Sequence, residues 1–280
     1  MLEQDGVPEL DDPVLLAAFE GWNDAGEAAT AGIEHLERVW QAVPLTTIDP
    51  EEFYDFQVNR PNVTVDDAGA RSLEWPTTRI ALAKPPGTER DVVLVRGIEP
   101  NIHWRGFCAE LLGLFAQLDV ARLVTLGALL ADVPHTRPVP VSVSTSDADH
   151  ARSMGLEPSR YQGPTGIVGV LQDAATHAGL TATSLWAAIP HYVSQSPCPK
   201  ATLVLLRRVE DLLDLPVPLG DLPDEARAWQ HGVEELATED PEIAEYVRRL
   251  EVARDTTELP EASGEHIARE FERYLRRRDH

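Results

Sequence analysis

Six residues of this 280-residue chain combine types and positions that suit acid–base chemistry: Asp24, Glu99, His103, Asp132, His135 and His191. A carboxylate beside an imidazole fixes the His tautomer and lifts its pKa toward working pH, so such pairs can accept and deliver protons. Asp132-x-x-His135 would also offer two ligands to a divalent metal. No His-Glu-x-x-His and no paired Cys accompany it, so no metal site is expected. The chain has no Gly-x-Ser-x-Gly elbow, which argues against a hydrolase of that type. No Gly-x-Gly-x-x-Gly follows a strand, so a dinucleotide fold of the usual kind is not expected either, and no motif implies a cofactor. The plainer reading of each His is a surface or supporting hydrogen-bonding residue.

These residues need elements to hold them together. Val14 to Trp40, VLLAAFEGWNDAGEAATAGIEHLERVW, reads as a buried strand, a polar turn and an amphipathic helix. The apolar run to Phe19 is too short for a helix and is bounded by Pro13 and Gly21. Asp24 fits a helix N-cap, with Glu27 three residues on completing a capping box. Gly21 and Gly26 have the spacing of a phosphate loop. Glu27 and Ala28, however, stand where Lys and Ser or Thr are needed, and Glu20, Asp24 and Glu27 would repel phosphate, so a nucleotide loop is rejected.

Further strands are expected at Leu45–Ile48, Arg79–Ala83, Val92–Arg96, Leu123–Leu126, Val139–Ser144 and Ser184–Ile189. Glu51 to Trp75 reads as a hairpin-like insertion able to reach a neighbouring subunit. Helices are expected from about His103 to Leu118 and from Gly166 to His177, the latter closed by Gly179. Alternating apolar strands and amphipathic helices predict an α/β fold with a mostly parallel sheet covered on both faces. After Ala201 only helical patterns follow, the last at Ser263–Arg278. The chain divides into an α/β core over 1–220 and a C-terminal helical region over 221–280.

In such a sheet, loops after the strands share one edge. The expected crevice is lined by Gly21, Trp22, Asn23, Asp24, Glu99, His103, Trp104, Asp132, His135, Gly166 and His191. Trp22 and Trp104 stand in loops, where a large ring is covered by a partner or offered to a ligand.

Composition narrows the partners. A formal net charge of −23 argues against nucleic acid and anionic membrane, which call for basic surfaces. Two cysteines make no disulfide framework and suit a reducing compartment, and the chain shows no apolar run of membrane-spanning length. A cytoplasmic location is expected.

The segments FEGWNDAGEAATAGIEHL, GIEPNIHW, YQGPTGIVGVL and IPHYV, in that order, resemble the proteasome assembly chaperone 2 family as found in actinobacteria. The resemblance runs over most of residues 14 to 250, and Gly-Trp-Asn-Asp-Ala-Gly is its most specific part. It implies a three-layer α/β/α sandwich of the nucleoside-phosphorylase-like type, a C-terminal helical region, and homo-oligomers, with a trimer expected. Eukaryotic members help assemble the proteasome α-ring, and the resemblance supplies no catalytic residue set. Two functions are therefore carried forward. One is a non-enzymatic interaction or assembly factor, with proteasome subunits or other proteins as partners. The other is an enzyme of nucleosidase, phosphorylase or ATP-dependent ligase-like type, using the strand-end crevice.

Overall fold

The computed structural model describes residues 8–66, 68–156, 161–193 and 195–256. In chain order the first half holds β1 (Val14–Glu20), α1 (Ala28–Val39), β2 (Val43–Thr47), β3 (Asn62–Val65), β4 (Arg71–Glu74), β5 (Arg79–Ala83), β6 (Val92–Ile98) and α2 (Trp104–Gln117). The second half holds β7 (Arg122–Ala131), β8 (Val141–Ser144), α3 (Ala148–Ser153), α4 (Ile167–His177), β9 (Thr181–Pro190), α5 (Pro199–Leu213), α6 (Leu222–Glu239) and α7 (Pro241–Thr256). Seven strands form one sheet in the order β2-β5-β6-β1-β7-β9-β8, and β3 and β4 form a separate hairpin.

The four central strands, β6, β1, β7 and β9, are parallel. Antiparallel β5 and β8 flank them, and β2 closes one edge. Central parallel strands have helices over both faces, so both sets of alternating side chains must be apolar. In β1, Val14, Leu16 and Ala18 pack with Ile33 and Leu36 of α1 and with Leu205, Leu206 and Val209 of α5. Leu15, Ala17 and Phe19 face the other way, onto Phe107, Leu111 and Phe115 of α2 and Val168 and Leu171 of α4. All six β1 residues are at most 1% exposed. Burying each of the larger ones contributes about 1.5–3 kcal/mol, so β1 is the seam on which both layers depend. Leu222 and Ala226 of α6 join the α1–α5 side of this core.

The structure corrects several expectations. The strand expected at Leu123–Leu126 runs on through residues 127–131, so that β7 pairs with β9 from Arg122↔Thr181 to Ala131↔Pro190. The short helix α3 went unread. The Asp24–Glu27 capping box does not form: a 3-10 turn over Ala25–Glu27 intervenes, and α1 starts only at Ala28. Gly26 and Glu27 are both left-handed there, at φ +59° and +52°. The insertion is a hairpin as expected, through β3 and β4. The helix expected at Ser263–Arg278 lies outside the described residues.

Candidate functional site

The polar residues at the strand ends gather into two groups. The first is a junction between the turn after β1, the loop after β6 and the start of α4. Asn23 and Asp24 are almost fully buried, at 3% and 6% exposed. The Asp24 carboxylate accepts the Ala29 N–H at 2.6 Å and the Thr30 N–H at 3.2 Å, and it also accepts the Thr30 hydroxyl. Asp24 thus caps α1 from across the extra turn, satisfying donors that a helix start leaves open. Burial pushes its pKa up to about 6, against the pull of these hydrogen bonds. Glu99 does the same service for α4: its Oε1 accepts the Ile167 N–H at 2.8 Å and the Asn23 side-chain amide at 2.9 Å. Gly166 makes this possible, because a Cβ there would sit 2.2 Å from the Asn23 amide nitrogen. Gly21 lies against Glu99, with the Glu99 Cβ 3.6 Å from where a Cβ would stand. The turn is tied onward to β7, where the Ala128 N–H donates to the Asn23 carbonyl at 2.8 Å.

Three further crevice residues lie in the turn after β1 and at the start of α2. His103 is exposed and left-handed at the start of α2. Trp104 donates its indole N–H to the Pro100 carbonyl at 2.6 Å and packs against the α2–α4 core. Trp22 is partly exposed.

The second group stands at the far ends of β7 and β9. Asp132 accepts the Tyr246 hydroxyl of α7 at 2.7 Å and lies 3.1 Å from His191 Nδ1. The His191 contact is close but off the line of a hydrogen bond, so it is an ion-pair contact that strengthens when the ring is protonated. The Tyr192 hydroxyl takes the His135 backbone N–H and also meets His135 Nδ1, both at 2.8 Å. The rings of His135, Tyr192, His191 and Tyr246 follow one another edge to face, with centroids 5.3–5.9 Å apart. His135 is 3% exposed and its Nε2 meets no protein acceptor. Burial lowers its pKa, with Glu234 and Glu251 opposing and Lys200 reinforcing that shift. Around this corner Arg137 pairs with Glu251 and Asp255 of α7, and Lys200 donates to the His135 and Arg137 carbonyls.

The described bonds therefore bring Asn23, Asp24, Glu99 and Gly166 together in one place and Asp132, His135 and His191 in another. Tyr246 escaped sequence reading, since nothing in a polar helix more than 100 residues downstream marks a ring that reaches Asp132. Also unread was an open cleft of ≈ 680 Å³ on the outer side of α1, lined in part by Glu34, His35, Arg38, Arg96, Pro199 and Leu222. Arg96 is held there by Glu37 at 2.8 Å, and Arg38 meets His35 Nδ1 at 2.9 Å while His35 Nε2 donates to the Pro218 carbonyl at 2.8 Å. Among the described residues no group of three or more His, Cys, Asp or Glu is placed to hold a metal, and no helix is long and apolar enough to cross a membrane.

A mixed sheet with helices on both faces, and strand-end carboxylates tied to helix starts, defines an α/β protein of the three-layer class. The chain belongs to the PAC2 family, whose model matches residues 18–237. It is similar to a PAC2 family protein from Streptomyces avermitilis, at 60% identity over 84% of this chain and 100% of that one, with a TM-score of 0.80. A proteasome-assembly chaperone homologue from Mycobacterium tuberculosis is 56% identical over 84% of this chain and 99% of that one, TM-score 0.77. An archaeal proteasome activator from Pyrococcus furiosus shares the fold at 17% identity, covering 82% and 95%, TM-score 0.66. No curated protein matches.

Proposed function

We propose that this chain is a cytoplasmic, homo-oligomeric protein-interaction factor that assists proteasome assembly. The observation that carries this reading is the use of the strand-end carboxylates. Asp24 and Glu99, the acids best placed for chemistry, are committed to backbone N–H groups of α1 and α4. A carboxylate so engaged holds helices in place and has little capacity left for a substrate. The names of the similar proteins, a proteasome-assembly chaperone homologue among them, supply the partner class. The test is capture of a tagged full chain from its native cell with quantification of proteasome α-subunits. Specific enrichment of α-subunits over an untagged control is expected, and their absence at full expression would sink the reading.

A second reading, an enzyme working at the strand ends, rests on the Asp132–His191 contact of 3.1 Å. It requires a nucleoside, nucleotide or phosphate to raise the melting temperature by several degrees at ligand concentrations well above Kd. A flat response across that panel removes it.

A further inference from the structure

The β3–β4 hairpin has the alternation of a half-covered sheet but lacks a cover. Residues opposed in an antiparallel pair share a face. Val63 stands opposite Leu73 and Val65 opposite Arg71, so Val63, Val65 and Leu73 share one face. Trp75, two residues beyond Leu73, extends it. Asn62, Thr64, Ser72 and Glu74 form the other face, where the Thr64 and Ser72 hydroxyls bond at 2.6 Å. Strands alternate in this way when one side is packed and the other wet. Here Val63, Val65, Leu73 and Trp75 are 50%, 62%, 55% and 42% exposed. The arm is not a loose loop: Phe56 packs on Trp75 with centroids 4.8 Å apart, and Asn101 anchors Asp55 and Asn59 at 2.8 and 2.9 Å. An isolated two-stranded ribbon is marginal in water, so a rigidly mounted one with a bare apolar face calls for a partner.

We infer that the Val63–Val65–Leu73–Trp75 face is an interface between copies of this chain, with each copy's arm laid on the body of another. This rests on the homo-oligomer proposed above and names the surface that builds it. Two arguments select a second copy. The first is area: a patch of this kind amounts to about 300–400 Å², half of the roughly 800 Å² per partner that stable interfaces bury. Docked one way onto a different protein, the arm falls short. Exchanged between copies, each chain gives one arm and receives one, and its share doubles to the required size. The second is charge. Copies with a net charge of −23 repel, so they can meet only where acids are missing. The apolar face carries Arg71, whose sign an acidic copy attracts, while Glu74 lies on the opposite face.

The experiment is light scattering on the eluting full chain from 1 to 100 µM, for the wild type, Val63→Asp/Leu73→Asp and Thr64→Asp/Ser72→Asp. The expected result is an oligomeric wild type, an apolar-face variant reduced at least twofold in mass to the 30.8 kDa single chain, and an unchanged polar-face variant. Should the aspartate pair fail to fold by circular dichroism, Val63→Ala/Leu73→Ala replaces it, with at least a tenfold weaker association expected. An oligomer that ignores the apolar-face substitutions overturns this interface while leaving the proposed oligomer standing. A wild type that is a single chain at 100 µM overturns both. If that single chain assembles once residues 257–280 are removed, the cover is the chain's own tail, and the inference fails in that way. Capture of proteasome subunits tests the functional reading separately, whatever the arm does.

Discussion

The Asp24–Glu99 junction and the Asp132–His191 corner sit at the ends of different parallel strands of one sheet, β1 and β6 against β7 and β9, and they use their acids in opposite ways. At the junction, carboxylates take backbone N–H groups and are locked between helix starts and the sheet. At the corner, Asp132 accepts a side-chain hydroxyl from the partly exposed α7 and lies in contact with the His191 ring. Backbone partners cannot rotate away, whereas side-chain partners can. The first arrangement is architecture. The second is a latch, whose strength depends on a helix that packs on few buried residues.

Substitutions can break this comparison. The largest effect is expected for Asp24→Ala, which strands two buried N–H groups and a hydroxyl and costs on the order of 3 kcal/mol in denaturant unfolding. Gly166→Ala forces the Asn23 amide off Glu99 and costs about 2 kcal/mol by the same measurement. If either variant unfolds at the wild-type midpoint, the junction is not the anchor described.

The pH dependence separates the two regions by sign. Asp24 has a native pKa raised from 3.8 to about 6, so between these values the native state holds a proton that the unfolded chain has lost. Its contribution to stability falls as pH rises through that window. His135 has a lowered native pKa, so below its unfolded value near 6.5 the unfolded chain holds the extra proton. Its contribution is present above that value and lost as pH falls below it. Unfolding midpoints across this range should show Asp24→Asn removing a decline with pH and His135→Gln removing a rise. Slopes of the same sign for both variants would refute the contrast.

The smallest effect is expected at the latch itself. Tyr246→Phe loses one hydrogen bond to a partly exposed acid, about 0.5–1.5 kcal/mol. Hydrogen exchange should place that loss in α7 alone, with amide protection in β1 unchanged. Faster exchange throughout the sheet would mean that α7 belongs to the main cooperative unit.

Much of the scaffold was legible in the sequence because burial on both faces leaves unbroken apolar runs, as in Leu15–Phe19 and Val92–Val95. The Gly21–Gly26 turn, the loop to Glu99 and the start of α4 at Gly166 were each readable from local chemistry. What could not be read depends on contacts distant in sequence. Gly127 looks like a strand terminator, but it lies inside β7, where a Cβ would fall 2.6 Å from the Trp186 ring on β9. The capping-box pattern assumes that a helix starts straight after its cap, and the left-handed pair Gly26–Glu27 inserts a turn that defeats it. The meeting of Asp132, His135 and His191 beyond β7 and β9 follows from the length of those strands, which no local pattern encodes.

That length has a mechanical consequence. β1 pairs with β7 only over Val14–Ala17, opposite residues 122–125, whereas β7 and β9 stay in register to Ala131 and Pro190. Some six residues of the strand pair, about 20 Å at 3.3 Å per residue, run on past that contact with Leu126, Ala128, Leu129 and Ala131 still buried. The Asn23 carbonyl clamps it partway along, at Ala128. α7 is tied to the end of this pair through Asp132, so where α7 lies follows from how far the buried pair runs.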